Sequence, residues 1–337
     1  MPGYFAYSYS GDSFRSKEKT NLAGSVFALK LYAMLGEDDA TKIQPIVDRI
    51  VSFQQTNGMF CDPFIARKRL LRHVLSNLRR GDFHDLHNQG YIRAESRQAF
   101  SALLLYGVLP EHIPDNIPTN QDDIRYFLSR LDWSHPWGAG SHFSHLLFFL
   151  SLLRKANRIN ETTYQQAQDT VRRFIASLQQ EDGAWYTGNP SQRQKINGAM
   201  KVISGLIVDD LPFDRPDKLI DLCLAQETRQ TDDACDQINQ ILVLRYSDRL
   251  LQHQYRQEDI QTFCRNTLGQ WSSYYHPLLG GFSFHKGHAS RRYYGAKVSQ
   301  GLNEPDIHGT VLFVWGLSMM NQIFPLPELD FLHEIKS

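Results

Sequence analysis

Glu95 and Arg97 in YIRAESRQAFSALLLYG, His142 and His145 in GAGSHFSHLLFFLSLL, and Asn197 in SQRQKINGAMKVISGL share one placement with Asp232, Asp233 and Cys235 in RQTDDACDQINQILVL and with His308 in EPDIHGTVLFVWGLSMM. Each lies in the opening turn of an apolar helical run. Helices that all begin at one end of a domain bring such turns together, so these residues are expected to converge on a single ligand pocket. In DWSHPWGAGSHFSHL, Trp133 and Trp137 flank Pro136, and His142 and His145 lie three apart on one helical face. Gly138 and Gly140 let the backbone come close, which makes the stretch a ligand wall, with the two His as lining groups or, more weakly, as metal ligands. HKGHASRRYYGAKVSQGLNEPD adds Arg291, Arg292, Tyr293 and Tyr294 on a long loop. That loop reads either as a lid whose adjacent arginines meet an anion such as diphosphate or carboxylate, or as a solvated surface loop.

The elements that must position these residues are helical throughout. Apolar residues recur with helical spacing and no alternating β-branched run is present, so the chain reads as all-α. The periodicity predicts helices over about 20–35, 42–55, 64–80, 93–107, 121–131, 140–156, 161–179, 192–208, 215–225, 232–251, 256–275 and 306–322. Thr20, Thr41, Asn120, Ser141, Asn160 and Ser191 are the expected caps. Six polar-start apolar helices, NLAGSVFALKLYAMLG being the first, alternate with amphipathic ones such as DTVRRFIASLQQ. That alternation is what a closed ring of helical hairpins requires, an (α/α)6 toroid, although an irregular helical bundle or solenoid uses the same parts. No low-complexity linker divides the chain, and residues 1–337 are expected to form a single toroid domain.

A short unit recurs between helices. SFQQTNGMF (Gln54, Gly58, Phe60), SLQQEDGAW (Gln179, Gly183, Trp185) and YHPLLGGFSF (His276, Gly280, Phe282) each end a helix, turn at glycine and set down an aromatic residue. The Q-x-x-x-G-x-W/F unit followed by an apolar helix with a D/H-rich start resembles the repeat of squalene–hopene cyclases, other class II terpene cyclases and protein prenyltransferase β subunits. The resemblance runs as a periodicity from about residue 20 to 322 and implies an α/α toroid with a central cavity, in which Gln and the aromatic brace one hairpin to the next.

Two site readings follow from it. Asp233-x-Cys235 at a helix start, then His308 opening the last inner helix, matches the order in which prenyltransferase β subunits hold zinc, with a fourth position left for a substrate thiol or water. Q-T-D-D-A resembles the D-x-D-D-T-A motif of class II cyclases, with Asp232 in place of the proton-donating acid and Gln230 replacing a carboxylate. Adjacent carboxylates in a dry cavity raise one another's pKa, and a protonated Asp can protonate an alkene. In the prenyltransferase comparison the aromatics expected after the Cys are Asp236, Gln237 and Asn239, the His expected on the preceding inner helix is Asn197, and the diphosphate-binding cluster is reduced to Arg229 with Lys195 and Arg193.

Composition sets outer limits. Lys plus Arg and Asp plus Glu both total 36, so no global field favours nucleic acid or an anionic membrane, and any partner is recognised locally. No basic leader precedes an apolar run and no run of eighteen apolar residues occurs, so the chain reads as soluble. Cys61, Cys223, Cys235 and Cys264 lack a C-x-x-C spacing, which suits free thiols in the cytoplasm. Walker and dinucleotide glycine loops, G-x-S-x-G and H-E-x-x-H are all missing. The expectation is an enzyme or binding protein for a largely apolar, isoprenoid-like molecule, with Trp133, Trp137, Trp185, Tyr293 and Trp315 near the mouth to stabilise carbocations. A carbohydrate-active (α/α)6 enzyme and a non-catalytic interaction toroid are the alternatives.

Overall fold

The computed structural model describes residues 2–12, 21–67, 89–225 and 233–336. It is mainly helical: α1 (Leu22–Met34), α2 (Ala40–Val51), α3 (Gln89–Leu104), α4 (Gln121–Ser129), α5 (Pro136–Lys155), α6 (Glu161–Leu178), α7 (Gln192–Leu206), α8 (Pro216–Leu224), α9 (Ala234–Leu250), α10 (Gln257–Trp271) and α11 (Ile307–Asn321). The expected helix over 64–80 begins at 63–67, and the rest of it lies outside the described residues, as do Arg229, Gln230 and Asp232. Within the loop before α11, a two-residue hairpin pairs β1 (Arg292–Tyr293) with β2 (Ala296–Lys297). The sequence carries no strand signal there because so short a ladder has no periodicity to read.

Helix character follows packing. In α1, Leu22 through Lys30 are all buried, and α5 is buried without interruption from Phe143 to Leu153. A helix apolar all round must be covered on every side. By contrast α2 and α6 bury only one face, Ile43, Ile46, Val47 and Ile50 in the first and Tyr164, Ala167, Val171 and Ile175 in the second. The covered helices touch in order: α1 packs on α3, α3 on α5, α5 on α7, α7 on α9, α9 on α11, and α11 on α1. The amphipathic ones lie against this series, α2 on α1, α6 on α5, α8 on α7 and α9, and α10 on α9.

The seam between α5 and α7 is lined by glycine. A Cβ on Gly198 would stand 2.5 Å from Pro136 Cβ, one on Gly205 2.8 Å from Ser144 Cα, and one on Gly140 3.0 Å from the Gly198 carbonyl oxygen. Only hydrogen side chains permit this approach. Pro136 at the first turn explains why α5 starts before the predicted Ser141, since proline's missing N–H is an orphan there in any case. Asn120, Asn160 and Ser191 cap as expected, Ser191 in a capping box with Gln194, whereas Asp39 takes the place predicted for Thr41. Asn21 caps α1, and Thr20 lies outside the described residues.

The repeated unit is a brace. Gln54 forms a β-bridge with Phe60, and its Nε2 donates to the carbonyls of Gly58 (3.1 Å) and His112 (2.6 Å). Gln179 bridges Trp185 in the same way, donating to the carbonyls of Gly183 (2.7 Å) and Asp214 (2.6 Å). Each Gln thus ties the end of one amphipathic helix, α2 or α6, to the segment that leads into another, α4 or α8. The third unit is out of register: Tyr275, not His276, bridges Phe282, and Thr310 Oγ1 accepts from Phe282 N at 3.0 Å. This copy is fastened to the start of α11 instead.

Candidate functional site

A cavity of about 340 Å³ takes lining residues from every covered helix: Phe27 and Lys30 of α1, Arg97 and Gln98 of α3, Trp137 of α5, Lys201 of α7, Cys235 and Asn239 of α9, and His308 and Trp315 of α11. Phe284, Tyr293 and Tyr294 from the loop before α11, and Ile335 near the C-terminus, complete the wall. Its size falls within the usual range of small-molecule sites. Trp137 is 41% exposed and Arg292, which also lines the cavity, is exposed, so these two stand on the rim.

Positive charge is concentrated inside. Arg97 is buried, and its guanidinium donates to Ser144 Oγ (2.7 Å) and to the Ser204 carbonyl (3.0 Å), joining α3 to α5 and α7. Lys30 is 4% exposed and donates to the neutral Gln98 Oε1 at 2.5 Å; burial and the neighbouring Arg97 push its ammonium down to about 7. Lys201 holds its ammonium 4.3 Å from the centre of the Trp137 ring, and burial, followed by Arg97, pushes it down to about 8. No Asp or Glu is among the described residues that line the cavity.

The hairpin supplies a tyrosine pair. Its connecting residues, Tyr294 at φ 45° and Gly295 at φ 84°, are both left-handed, as a type I′ turn demands. A tyrosine in that region is conformationally costly, and the surroundings hold it there: Tyr293 OH donates to Glu95 Oε1 at 2.8 Å, and Tyr294 packs edge-on to Tyr91. Burial pushes the Glu95 carboxyl up to about 8. Glu95 therefore stands behind Tyr293, anchoring it, and does not itself line the cavity.

The other predicted residues separate into groups. Asn197 donates to Asp236 Oδ1 (2.8 Å) and accepts from Asn239 (3.0 Å), while Arg193 pairs with Asp236 at 2.5 Å and lies 3.9 Å from Asp233. His142 and His145 stack edge to face at 6.1 Å; His145 is buried, and burial with Arg97 nearby holds its ring neutral, but neither lines the cavity. Trp133 is buried against Phe143 and Phe174, and Trp185 against Phe213 in its brace, both away from the cavity. Arg291 is exposed and lies over Gly301. Lys30, Gln98 and Lys201 are not among the residues that the sequence singles out; a Lys inside an apolar run, as in FALKLYAM, is the signal for Lys30, and Gln98 carries none.

The zinc set does not fit as arranged. Cys235 and His308 line the same cavity, but Asp233 caps α9 by accepting from Asp236 N at 3.2 Å. The His308 ring is stacked between Phe27 (4.8 Å) and Phe284 (4.7 Å), with Nδ1 3.1 Å from Tyr7 OH, and burial pushes its pKa down to about 3. Burial pushes the Cys235 thiol up to about 12, and the neighbouring Asp233 adds to the rise. Among the described residues no group of three or more His, Cys, Asp or Glu is placed to hold a metal ion. No helix among them is long and apolar enough to cross a membrane. The chain matches no protein-family model and no curated protein.

Proposed function

We propose that the chain is an (α/α)6 toroid that binds an amphipathic anion of the prenyl diphosphate type in its central cavity and performs prenyl-transfer or cyclase-like chemistry on it. One observation carries this reading: one cavity, walled by six helices that each contact the next in the series, holds Arg97 and Lys201 among aromatic faces and is lined by no described carboxylate. The cyclic order of helix contacts supports the toroid. An apolar tail suits Phe27, Phe284, Val311, Leu312 and Trp315, and an anionic head suits Arg97 and Lys201. When the carbon–oxygen bond to such a head breaks, both electrons leave on the anion. Fixed cations stabilise that charge, while the Trp137 and Tyr294 rings attract the electron-poor carbon.

Proton-initiated cyclisation needs an acid facing the cavity. Asp233 is engaged as a helix cap beside Arg193, and Asp232, which stands in the place of the proton-donating acid of the cyclases, lies outside the described residues. One observation favours this reading over a glycosidase. Most glycoside hydrolases need two carboxylates across the scissile bond, and the described lining has none. Four free thiols suit a reducing cytoplasmic setting, and the balanced charge gives no reason to propose a nucleic-acid partner.

The test is thermal shift and calorimetry with farnesyl diphosphate, farnesol and oligosaccharides. Farnesyl diphosphate should stabilise the protein, farnesol much less, and Lys201→Met should weaken the former at least about tenfold. Equal stabilisation by the alcohol, or stabilisation by oligosaccharides alone, would overturn the reading.

A further inference from the structure

Two lysines face the same cavity but in different company. Lys201 has the Trp137 ring under its ammonium, and a cation–π contact favours the charged form. Among the described residues Lys30 has neither a ring under its ammonium nor a carboxylate within ion-pairing distance. Its one hydrogen-bond acceptor among them is the neutral Gln98, and the fixed guanidinium of Arg97 is the charge that acts on it. A desolvated lysine beside a second cation is the arrangement that gives an amine its lone pair near neutral pH. Phe27, one turn before Lys30 on α1, and Trp315 across from it on α11 supply apolar faces in the same space, and the rim at Trp137 and Arg292 connects that space to solvent.

We propose that Lys30 is an amine nucleophile that takes an apolar aldehyde or ketone in the cavity as an imine. The Nζ lone pair attacks the carbonyl carbon and the C=O π pair moves onto oxygen, which receives the proton lost by nitrogen; this is the carbinolamine. The hydroxyl then takes a proton from solvent and leaves as water with the carbon–oxygen bonding pair, the nitrogen lone pair forms the C=N bond, and the second N–H proton returns to solvent in place of the one taken up. Amine plus carbonyl compound yields imine plus water, with no oxidant, reductant or metal required. The step uses a different residue from the anion site and stands or falls without it.

Borohydride trapping tests the idea on the full chain. The folded protein is incubated at pH 7 with cinnamaldehyde and cyanoborohydride, then read by intact mass and peptide mapping. One saturable adduct is expected, on Lys30, forming at least about tenfold faster than on the exposed Lys42, whose partner Glu37 holds it charged. Lys201→Met should keep the adduct and Lys30→Met should lose it; Lys30→Arg, which preserves charge and length, serves if the methionine variant fails to fold. Adducts on surface lysines with Lys30 unmodified, or labelling of Lys201 in preference to Lys30, would overturn the proposal. Failure of farnesyl diphosphate to bind would leave this result unaffected, so the two readings fail separately.

Discussion

Alanine at two of the brace glycines separates what a left-handed backbone costs from what a close approach costs. Gly183 (φ +81°) and Gly280 (φ +68°) both occupy the left-handed region, where an L side chain costs roughly 1–2 kcal/mol. They differ in what a Cβ would meet. At Gly183 it would stand 2.8 Å from the Arg215 carbonyl oxygen and 2.9 Å from Leu219 N, backbone atoms at the start of α8 that cannot rotate away. At Gly280 it would meet nothing within 4 Å. Displacing packed backbone adds about 1–3 kcal/mol, so Gly183→Ala should destabilise by roughly 2–5 kcal/mol and Gly280→Ala by roughly 1–2. Urea titrations at a common m-value measure the difference. Gln179→Ala removes the donor shared by the Gly183 and Asp214 carbonyls and should cost about 1–3 kcal/mol. Because it acts through the same junction, its effect should add less than fully to that of Gly183→Ala. Equal costs at the two glycines, or full additivity of Gln179 and Gly183, would refute the brace as the element that fixes α6 to α8.

Glu95→Gln should remove a pH dependence. The folded carboxyl sits at about 8 against an ordinary 4.5, so the folded state binds the extra proton, and stability is fully present below about 4.5 and declines as pH rises through 8. The variant, which keeps the acceptor for Tyr293, should match the wild type at pH 5 and exceed it by a few kcal/mol at pH 9, measured by denaturant titration at both; a parallel decline in the variant would contradict the assignment. Asp306→Ala strips the acceptor from Gly309 N (2.7 Å), Phe284 N (2.9 Å) and Ser290 N (2.9 Å), and should cost at least about 3 kcal/mol while loosening the loop that carries the tyrosine pair, seen as lost hydrogen-exchange protection at 284–290. Cys235 should react with a disulfide reagent at pH 8 no faster than the buried cysteines, and purified protein should carry no stoichiometric zinc; metal analysis that finds one equivalent would overturn the account of that site.

The order of the helices and the braces was legible because both rest on local periodicity and turn chemistry. What a residue faces was legible only where its helix is covered all round. Trp185 was expected at the mouth, but the aromatic of a Q-x-x-x-G-x-W unit is used up in the brace, 1% exposed against Phe213. Asp233 and His308 open helices as predicted, yet one is an N-cap and the other is sandwiched between rings, and neither role leaves a mark distinct from metal ligation in the sequence. The extra residue in the third brace moved its register by one, because LLGG offers two glycines for a single turn and the bridge chose Tyr275. Lys30 and Lys201 went unnoticed for the opposite reason: each interrupts an apolar stretch at a position that would be solvent-exposed on an ordinary amphipathic helix, and here no such face exists.

The glycine seam between α5 and α7 has a mechanical consequence. Two helices whose backbones interlock through Gly140, Gly198 and Gly205 have no soft side-chain layer between them, so they respond to a load as one stiff rail. α3 packs Ala99, Phe100, Ala102 and Leu103 into the core and is tied besides by the Arg97 guanidinium reaching Ser144 and Ser204 and by Gln98 meeting Lys30. Such polar ties can be exchanged one for one with groups on a ligand, whereas interlocked backbone cannot. Compliance in the wall is therefore expected to be lopsided, with a guest bulkier than about 340 Å³ displacing α3 before it parts α5 from α7. Hydrogen exchange should show α3 opening at lower free energy than α5 or α7, and the reverse order would mean that the stiffness lies elsewhere.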